Sequence, residues 1–226
     1  MSWHSGVIRA VLFDLDGTLL DSAPDLGFAA NQLRIVRGLD ALPLSHYRPF
    51  VGTGARGMLR IALGVTPEAS DFEALKEEFF VAYERCIGQH SQLFEGVPAL
   101  LQTIHDQGLA WGIVTNKSER FTSSIVQEIA VLAKAGAVVC GDTTAYSKPH
   151  PMPLWEAAER IGHAPKCCIY VGDDERDMHA AHAAGMQSVA AAYGYLGVGG
   201  LASVASWKPN AFINTPLELT NLLDLN

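Results

Sequence analysis

Two rhythms of apolar and polar residues alternate along this chain. Short, mostly apolar runs predict strands at 8–13, 109–114, 138–140, 168–171, 188–192 and 211–213, the pattern of strands buried on both faces. Between them the apolar spacing is helical. Val97, Leu100, Leu101 and Ile104 recur on one face around Pro98, and Gly108 closes the turn. Ser22 and Asp25 have capping-box spacing and predict a helix from Ala23 that stops before Gly38. Thr66 as N-cap, with Pro67 at the first helical position, predicts a second helix over 67–86. Further helices are expected from Ser118, over 153–161 and over 177–184, and Thr215 with Glu218 forms a capping-box pattern for the last. Strands alternating with helices predict an α/β fold, a doubly wound parallel sheet covered on both faces. Residues 21–92 show helical patterns and no convincing strand. They are expected to be a helical insert above the sheet, with residues 1–20 and 93–226 forming the core.

Composition narrows the classes of function. At 226 residues the chain has room for one core plus an insert, and 49% hydrophobic with 18% charged residues is a globular balance. No apolar run reaches membrane-spanning length, and the N-terminus lacks the layout of a signal peptide. A net charge of -8 argues against a nucleic-acid surface, and it requires any bound anion to find local positive charge. Cys86, Cys140, Cys167 and Cys168 form no Cys-x-x-Cys pair, which predicts reduced thiols in a cytoplasmic protein and no structural zinc.

The chemistry-bearing residues follow the predicted strands. Asp14 and Asp16 stand directly after the first, on one face by strand alternation, with Gly17 allowing a sharp turn. Thr115, Asn116 and Lys117 follow the strand ending at Val114. Lys148 comes from the loop after Cys140, and Asp173, Asp174 and Asp177 follow the strand ending at Val171. Asp-x-Asp-Gly alone is also a turn sequence; the matching pieces at later strand ends favour a site. In open α/β sheets ligands bind at the carboxyl ends of strands. Two acids in one site repel unless a cation or proton lies between them. The set suits phosphoryl transfer, with a carboxylate nucleophile, Mg2+ on oxygen ligands, Lys148 offsetting charge, and Thr115 and Asn116 donating to phosphate oxygens. His179 and His182 lie three apart on a helix, but oxygen ligands from Asp173 suit this chemistry better than a histidine pair. The stretch from Gly52 to Gly57 lacks the Gly-Lys-Ser/Thr of a Walker loop.

Taken together, Asp14-Leu15-Asp16-Gly17-Thr18, Thr115-Asn116, Lys148-Pro149 and Gly172-Asp173-Asp174-Glu175-Arg176-Asp177 resemble the motifs of haloacid-dehalogenase-superfamily phosphatases over essentially the whole chain. The resemblance implies a Rossmann-like core and an inserted helical cap that closes over the site and excludes water. It implies that Asp14 attacks phosphorus and that Asp16 protonates the leaving oxygen and then takes a proton from water. Magnesium would be held by Asp14, the backbone carbonyl of Asp16 and Asp173, with Asp174 and Asp177 behind them. The acid at Asp16 points to a phosphatase and away from a dehalogenase. A receiver-type signalling module fits the spacing poorly, and a sugar phosphomutase of the same superfamily shares the motifs.

Two neighbouring groups are similar in detail. The opening from Phe13 to Leu26, Lys148-Pro149-His150-Pro151 and Tyr193-Gly194-Tyr195 resemble phosphoglycolate phosphatases. His90 to Gly96 and Trp111 to Lys117 resemble N-acetylmuramic acid 6-phosphate phosphatases. Both implied substrates are small phosphate monoesters bearing a carboxylate. Arg56, in the glycine-flanked part of the insert, is the first candidate to hold it, and Lys117 the second. Nothing in the sequence sets the oligomeric state.

Overall fold

The computed structural model describes residues 8–225, so residues 1–7 and 226 of the expected core lie outside the described part. Six parallel strands form the main sheet, in the order β5 (Ala137–Val139), β4 (Ala110–Val114), β1 (Ala10–Phe13), β6 (Cys168–Gly172), β7 (Gln187–Ala191), β8 (Ala211–Ile213). The chain runs outward from β1 to one edge and then, from β6, to the other. Strand order therefore reverses between β1 and β6, where open α/β sheets bind their ligands.

Strand alternation explains the layers. Val11 and Phe13 face one apolar cluster with α5 (Val97–Asp106) and α10 (Glu218–Leu222), which supply Val97, Leu100, Ile104 and Leu219. Ala10 and Leu12 face the opposite cluster with α7 (Met152–Arg160) and α8 (Glu175–Ala184), where Leu154, Ala157, Ala180 and Ala181 lie almost fully buried. Small residues on α8 bring that helix close to the sheet and so fix the position of its N-terminus. Two further helices complete the set, α6 (Glu119–Glu128) after β4 and the short α9 (Leu201–Val204) after β7.

A helical cap lies between β1 and α5. It contains α1 (Ala23–Ile35), α2 (Leu44–Tyr47), α3 (Ala55–Leu63) and α4 (Phe72–Glu84), with a short 3-10 turn at Arg48–Thr53. Its own apolar cluster joins Leu33, Met58, Leu59, Phe79 and Tyr83, and also takes in Phe121 and Tyr195 from the sheet domain. The two linkers pair as a small antiparallel ribbon, β2 (Leu20–Asp21) with β3 (Gln92–Leu93). Two residues each are too short for any strand pattern to show in the sequence.

Several local expectations are corrected. The first strand starts at Ala10 rather than at 8. The predicted helix over 67–86 begins at Phe72, with Asp71 as N-cap, and ends at Glu84. Its buried stripe is Phe72, Leu75, Phe79 and Tyr83, whereas Pro67 to Asp71 offer little apolar surface and form turns. Ser22 and Asp25 do not close a capping box. Ser22 donates its hydroxyl to Asp16, and Asp25 accepts the backbone N–H groups of Gly88 (2.8 Å) and His90 (2.8 Å). Thr215 likewise does not cap the last helix: Leu217 is the N-cap, and Glu218 accepts from the N–H of Asn214 (2.8 Å). All four cysteines are free thiols. No helix among the described residues is long and apolar enough to cross a membrane.

Candidate active site

Three carboxylates converge at the point where strand order reverses. Asp14 leaves β1 with its N–H still bonded to Val171 O (2.9 Å), so the strand ladder fixes its position. Asp173 leaves β6 and accepts from the Thr18 hydroxyl (3.0 Å) and the Tyr195 N–H (2.8 Å). Asp177 sits in the first turn of α8, where its second oxygen accepts the Asp174 N–H (3.0 Å). One ligand atom from each of the three lies within 4.8 Å of the others. Gly17 is needed here twice over: its φ is +87°, and a side chain would overlap the Asp173 carboxylate.

One cation faces this cluster. The Lys148 ammonium, almost fully buried, contacts Asp14 (3.0 Å), Asp177 (2.8 Å), the Tyr170 hydroxyl (2.7 Å) and Val114 O (2.9 Å). Burial works to lower its pKa, and the attraction of Asp14 and Asp177 overrides it, so the pKa lies above the ordinary value. One ammonium does not balance three carboxylates. Burial chiefly, opposed by Lys148 and reinforced by Asp177 and Asp16, pushes Asp14 up to about 7. Burial and the charges of Asp14 and Asp177 likewise hold Asp173 well above the carboxylate range. Hard oxygen donors with surplus negative charge fit a divalent cation such as Mg2+.

The other expected site residues separate into distinct positions. Asp16 lies outside the acidic cluster. Its carboxylate accepts from Lys117 (2.9 and 3.1 Å) and from the Ser22 hydroxyl, leaving only its backbone carbonyl for the metal role expected of it. Asp177, expected behind the ligands, lies in the cluster. Asp174 caps α8, accepts the Arg176 N–H (2.9 Å) and pairs with the Arg176 guanidinium (2.7 Å). Burial tends to raise its carboxyl, but Arg176 holds it below the usual value. Thr115 is buried at the end of β4, on the cavity wall. Asn116 spends its amide on the Lys148 backbone, donating to the carbonyl (2.9 Å) and accepting from the N–H (2.9 Å). It thus orients the lysine loop, which its expected donation to phosphate did not foresee. Arg56 is exposed on α3 and does not line the cavity, whose wall the preceding Gly54 and Ala55 help to form. His179 is exposed, and the ring of His182 bonds Ser188 (2.9 Å).

The acids open onto a cavity of about 290 Å³. Its far wall comes from the cap and α6: Leu26, Val51, Phe79, Phe80, Tyr83 and Phe121. Two cross-contacts hold the cap over it. Arg120 of α6 reaches Glu77 (2.8 Å) and Glu84 (2.6 Å) on α4, and Arg176 donates to Gly52 O in the 3-10 turn. Tyr195 reaches the linker: its hydroxyl accepts the N–H groups of Ser22 (2.8 Å) and Ala23 (3.0 Å) and donates to Asp21 (3.0 Å). Sequence spacing could not assign this role, because the partners lie more than 170 positions away; the Tyr-Gly-Tyr resemblance was its only signal.

A reversal-point acid cluster, a buried lysine and a helical cap on a Rossmann-like sheet define a phosphoryl-handling hydrolase. The chain belongs to the haloacid dehalogenase-like hydrolase family, which it matches over residues 11–191. Within that family it is a phosphomonoester hydrolase. It is similar to a phosphoglycolate phosphatase of Xanthomonas campestris, with 47% identity over 93% of this chain and 94% of that protein. It is also similar to an N-acetylmuramic acid 6-phosphate phosphatase of Pseudomonas putida, with 39% identity over 96% of each. Among solved structures, a predicted phosphoglycolate phosphatase from Haemophilus somnus superimposes with a TM-score of 0.82 at 26% identity, covering 95% of this chain and 97% of that one.

The acid cluster also sets a pH dependence. With Asp14 raised from 3.8 to about 7, the folded chain holds a proton that the unfolded chain has lost between those values. Stability of the metal-free protein therefore falls as pH rises through that window. A cation that replaces the proton stabilises most at the upper end. A divalent cation bound there at about a hundred times its Kd would add about 2.7 kcal/mol, a rise in Tm of roughly 5–10 °C for a chain of this size. Thermal unfolding with Mg2+ and with chelator at pH 5 and pH 8 checks this. An equal shift at both pH values would contradict it.

Proposed function

We propose that the protein hydrolyses a small carboxylate-bearing phosphate monoester through an aspartyl-phosphate on Asp14, with magnesium as cofactor. The observation that carries this is the placement of Asp14. It stands at the carboxyl end of β1, 3.0 Å from the Lys148 ammonium, in a cavity that Asp16 also faces. An Asp14 oxygen bonds to phosphorus as the ester P–O bond breaks, and Asp16 gives its proton to the departing oxygen. Asp16 then takes a proton from water as that water displaces Asp14 from phosphorus. Lys148 and Thr115 stabilise the phosphoryl oxygens. Asp14, Asp173 and the Asp16 carbonyl would hold the magnesium, with Asp177 beside them, and when bound it supplies positive charge to the phosphoryl group. The cap, over residues 21–92, excludes water from the phospho-enzyme except for the attacking molecule.

Phosphoglycolate is the ester supported by the 47% identical relative. One observation favours a second reading. A cavity of about 290 Å³ with an aromatic far wall has surface that a two-carbon acid leaves untouched. That supports a larger leaving group, such as the N-acetylmuramic acid 6-phosphate in the name of the Pseudomonas putida relative. A panel holding both esters, with product analysis for sugar and inorganic phosphate, decides between them. Release of phosphate is expected to require Mg2+ and to stop in excess chelator. Undiminished turnover in chelator, or transfer of phosphate back to a sugar, would overturn the reading.

A further inference from the structure

The wall between the acid cluster and the aromatic end of the cavity holds two donors with capacity to spare. Tyr83 is 2% exposed, and its hydroxyl is the one buried side-chain polar atom among the described residues without a hydrogen-bond partner. Leaving a buried donor unpaired is unfavourable, so such a group in a ligand cavity points to a missing acceptor. Its ring is fixed by Phe121, edge-on at 5.2 Å, and by Phe79, stacked at 6.3 Å. Over the same ring, 4.9 Å from its centroid, lies the Lys117 ammonium.

The cations of the cavity are not equivalent. Lys148 is committed to Asp14 and Asp177, and both oxygens of Asp174 hold the Arg176 fork. Lys117 has a single carboxylate partner, Asp16, and a side chain only 8% exposed. An ammonium carries three donors. With Asp16 on one side and the Tyr83 ring on another, Lys117 and the Tyr83 hydroxyl together present two donors to one acceptor group.

We propose that Lys117 and Tyr83 form the subsite that recognises the substrate's carboxylate. The proposal rests on the carboxylate-bearing ester argued above and adds which residues read the acid. Because Lys117 also holds Asp16, an acid bound there is registered directly against the residue that protonates the leaving oxygen. Selection of the leaving group then falls to one residue of the sheet domain and one of the cap, brought together only with the cap in place.

Two substrate pairs test it, each changed only at the carboxylate: phosphoglycolate with ethyl phosphate, and N-acetylmuramic acid 6-phosphate with the same sugar phosphate carrying its lactyl acid as the primary amide. The readout is the ratio of kcat/KM within the pair that the wild-type protein prefers. Lys117→Met should reduce that ratio about ten- to a hundredfold, the worth of one charge-assisted hydrogen bond, and Lys117→Arg should restore part of it. Tyr83→Phe should also reduce the ratio, without lowering Tm, since its hydroxyl has no hydrogen-bond partner among the described residues. This second variant decides the matter if Lys117→Met does not fold. Equal losses on both members of a pair, or an unchanged ratio in Tyr83→Phe, would overturn the subsite. A wild-type protein that ignores the carboxylate in both pairs would instead overturn the carboxylate-bearing substrate itself.

Discussion

Asp14→Asn will abolish turnover of every phosphomonoester the protein accepts while making the metal-free protein more stable. The loss follows from replacing a carboxylate nucleophile by an amide, which neither attacks phosphorus effectively nor ligates a hard cation well. Removing a nucleophile from an assembled catalytic set costs on the order of a thousandfold to a millionfold. The stability gain has a separate cause. Asp14, Asp173 and Asp177 share one ammonium, and burial leaves Asp14 titrating near about 7. At pH 8 the folded chain bears the Asp14 charge that burial disfavours, and an amide removes it, raising Tm by about 2–4 °C for each kcal/mol removed. Steady-state phosphate release and thermal unfolding in chelator measure the two effects. An active variant would remove Asp14 from the chemistry, and a destabilised one would show that its bond to Lys148 outweighs the cost of burying its charge.

The second large effect belongs to Asp16. Asp16→Ala is expected to slow turnover by about a hundred- to ten-thousandfold, the usual contribution of a positioned general acid. The loss should depend on the leaving group. An alkyl ester departs as a strongly basic oxygen and needs the proton, whereas p-nitrophenyl phosphate barely needs it in the step that phosphorylates Asp14. Single-turnover phosphorylation of Asp14 by each ester isolates that step. Equal losses on both would assign Asp16 to holding Lys117 and Ser22, the two groups its carboxylate binds.

The outcome explains what was legible in the sequence. The strands of the main sheet are legible as short apolar runs, those at its centre because their side chains are buried on both faces. The residues Asp14, Thr115 and Asp173 were legible for a related reason: each follows such a run, and a parallel sheet brings those ends together. Lys148 was found by motif, and the structure shows why its loop is ordered, since Asn116 clamps the backbone on both sides.

Where local pattern failed, a tertiary partner had taken the group. Ser22 and Asp25 have the spacing of a cap, yet one is bonded to Asp16 and the other to the chain returning from α4. Arg56 stands out in the sequence by its flanking glycines, yet it is exposed on α3 and outside the cavity lining. Tyr83 shares its helical face with Phe72, Leu75 and Phe79, and nothing in that spacing marks its hydroxyl. Only assembly of α4 against α6 shows that its hydroxyl, unlike its ring, lacks a partner.

The linker ribbon has an evolutionary consequence. Leu20 pairs with Leu93 and Asp21 with Gln92, so the chain leaves the sheet domain and re-enters it at neighbouring strand positions, about 5 Å apart. To the sheet, everything between those pairs is equivalent to a hairpin loop, whatever its length. An insert of another size or shape could replace the four helices without rerouting a single sheet strand, since lengthening a loop costs little once its ends are joined. The phosphate chemistry and the cap's share in choosing the leaving group are therefore separable by inheritance, and descent can exchange the second while leaving the first intact.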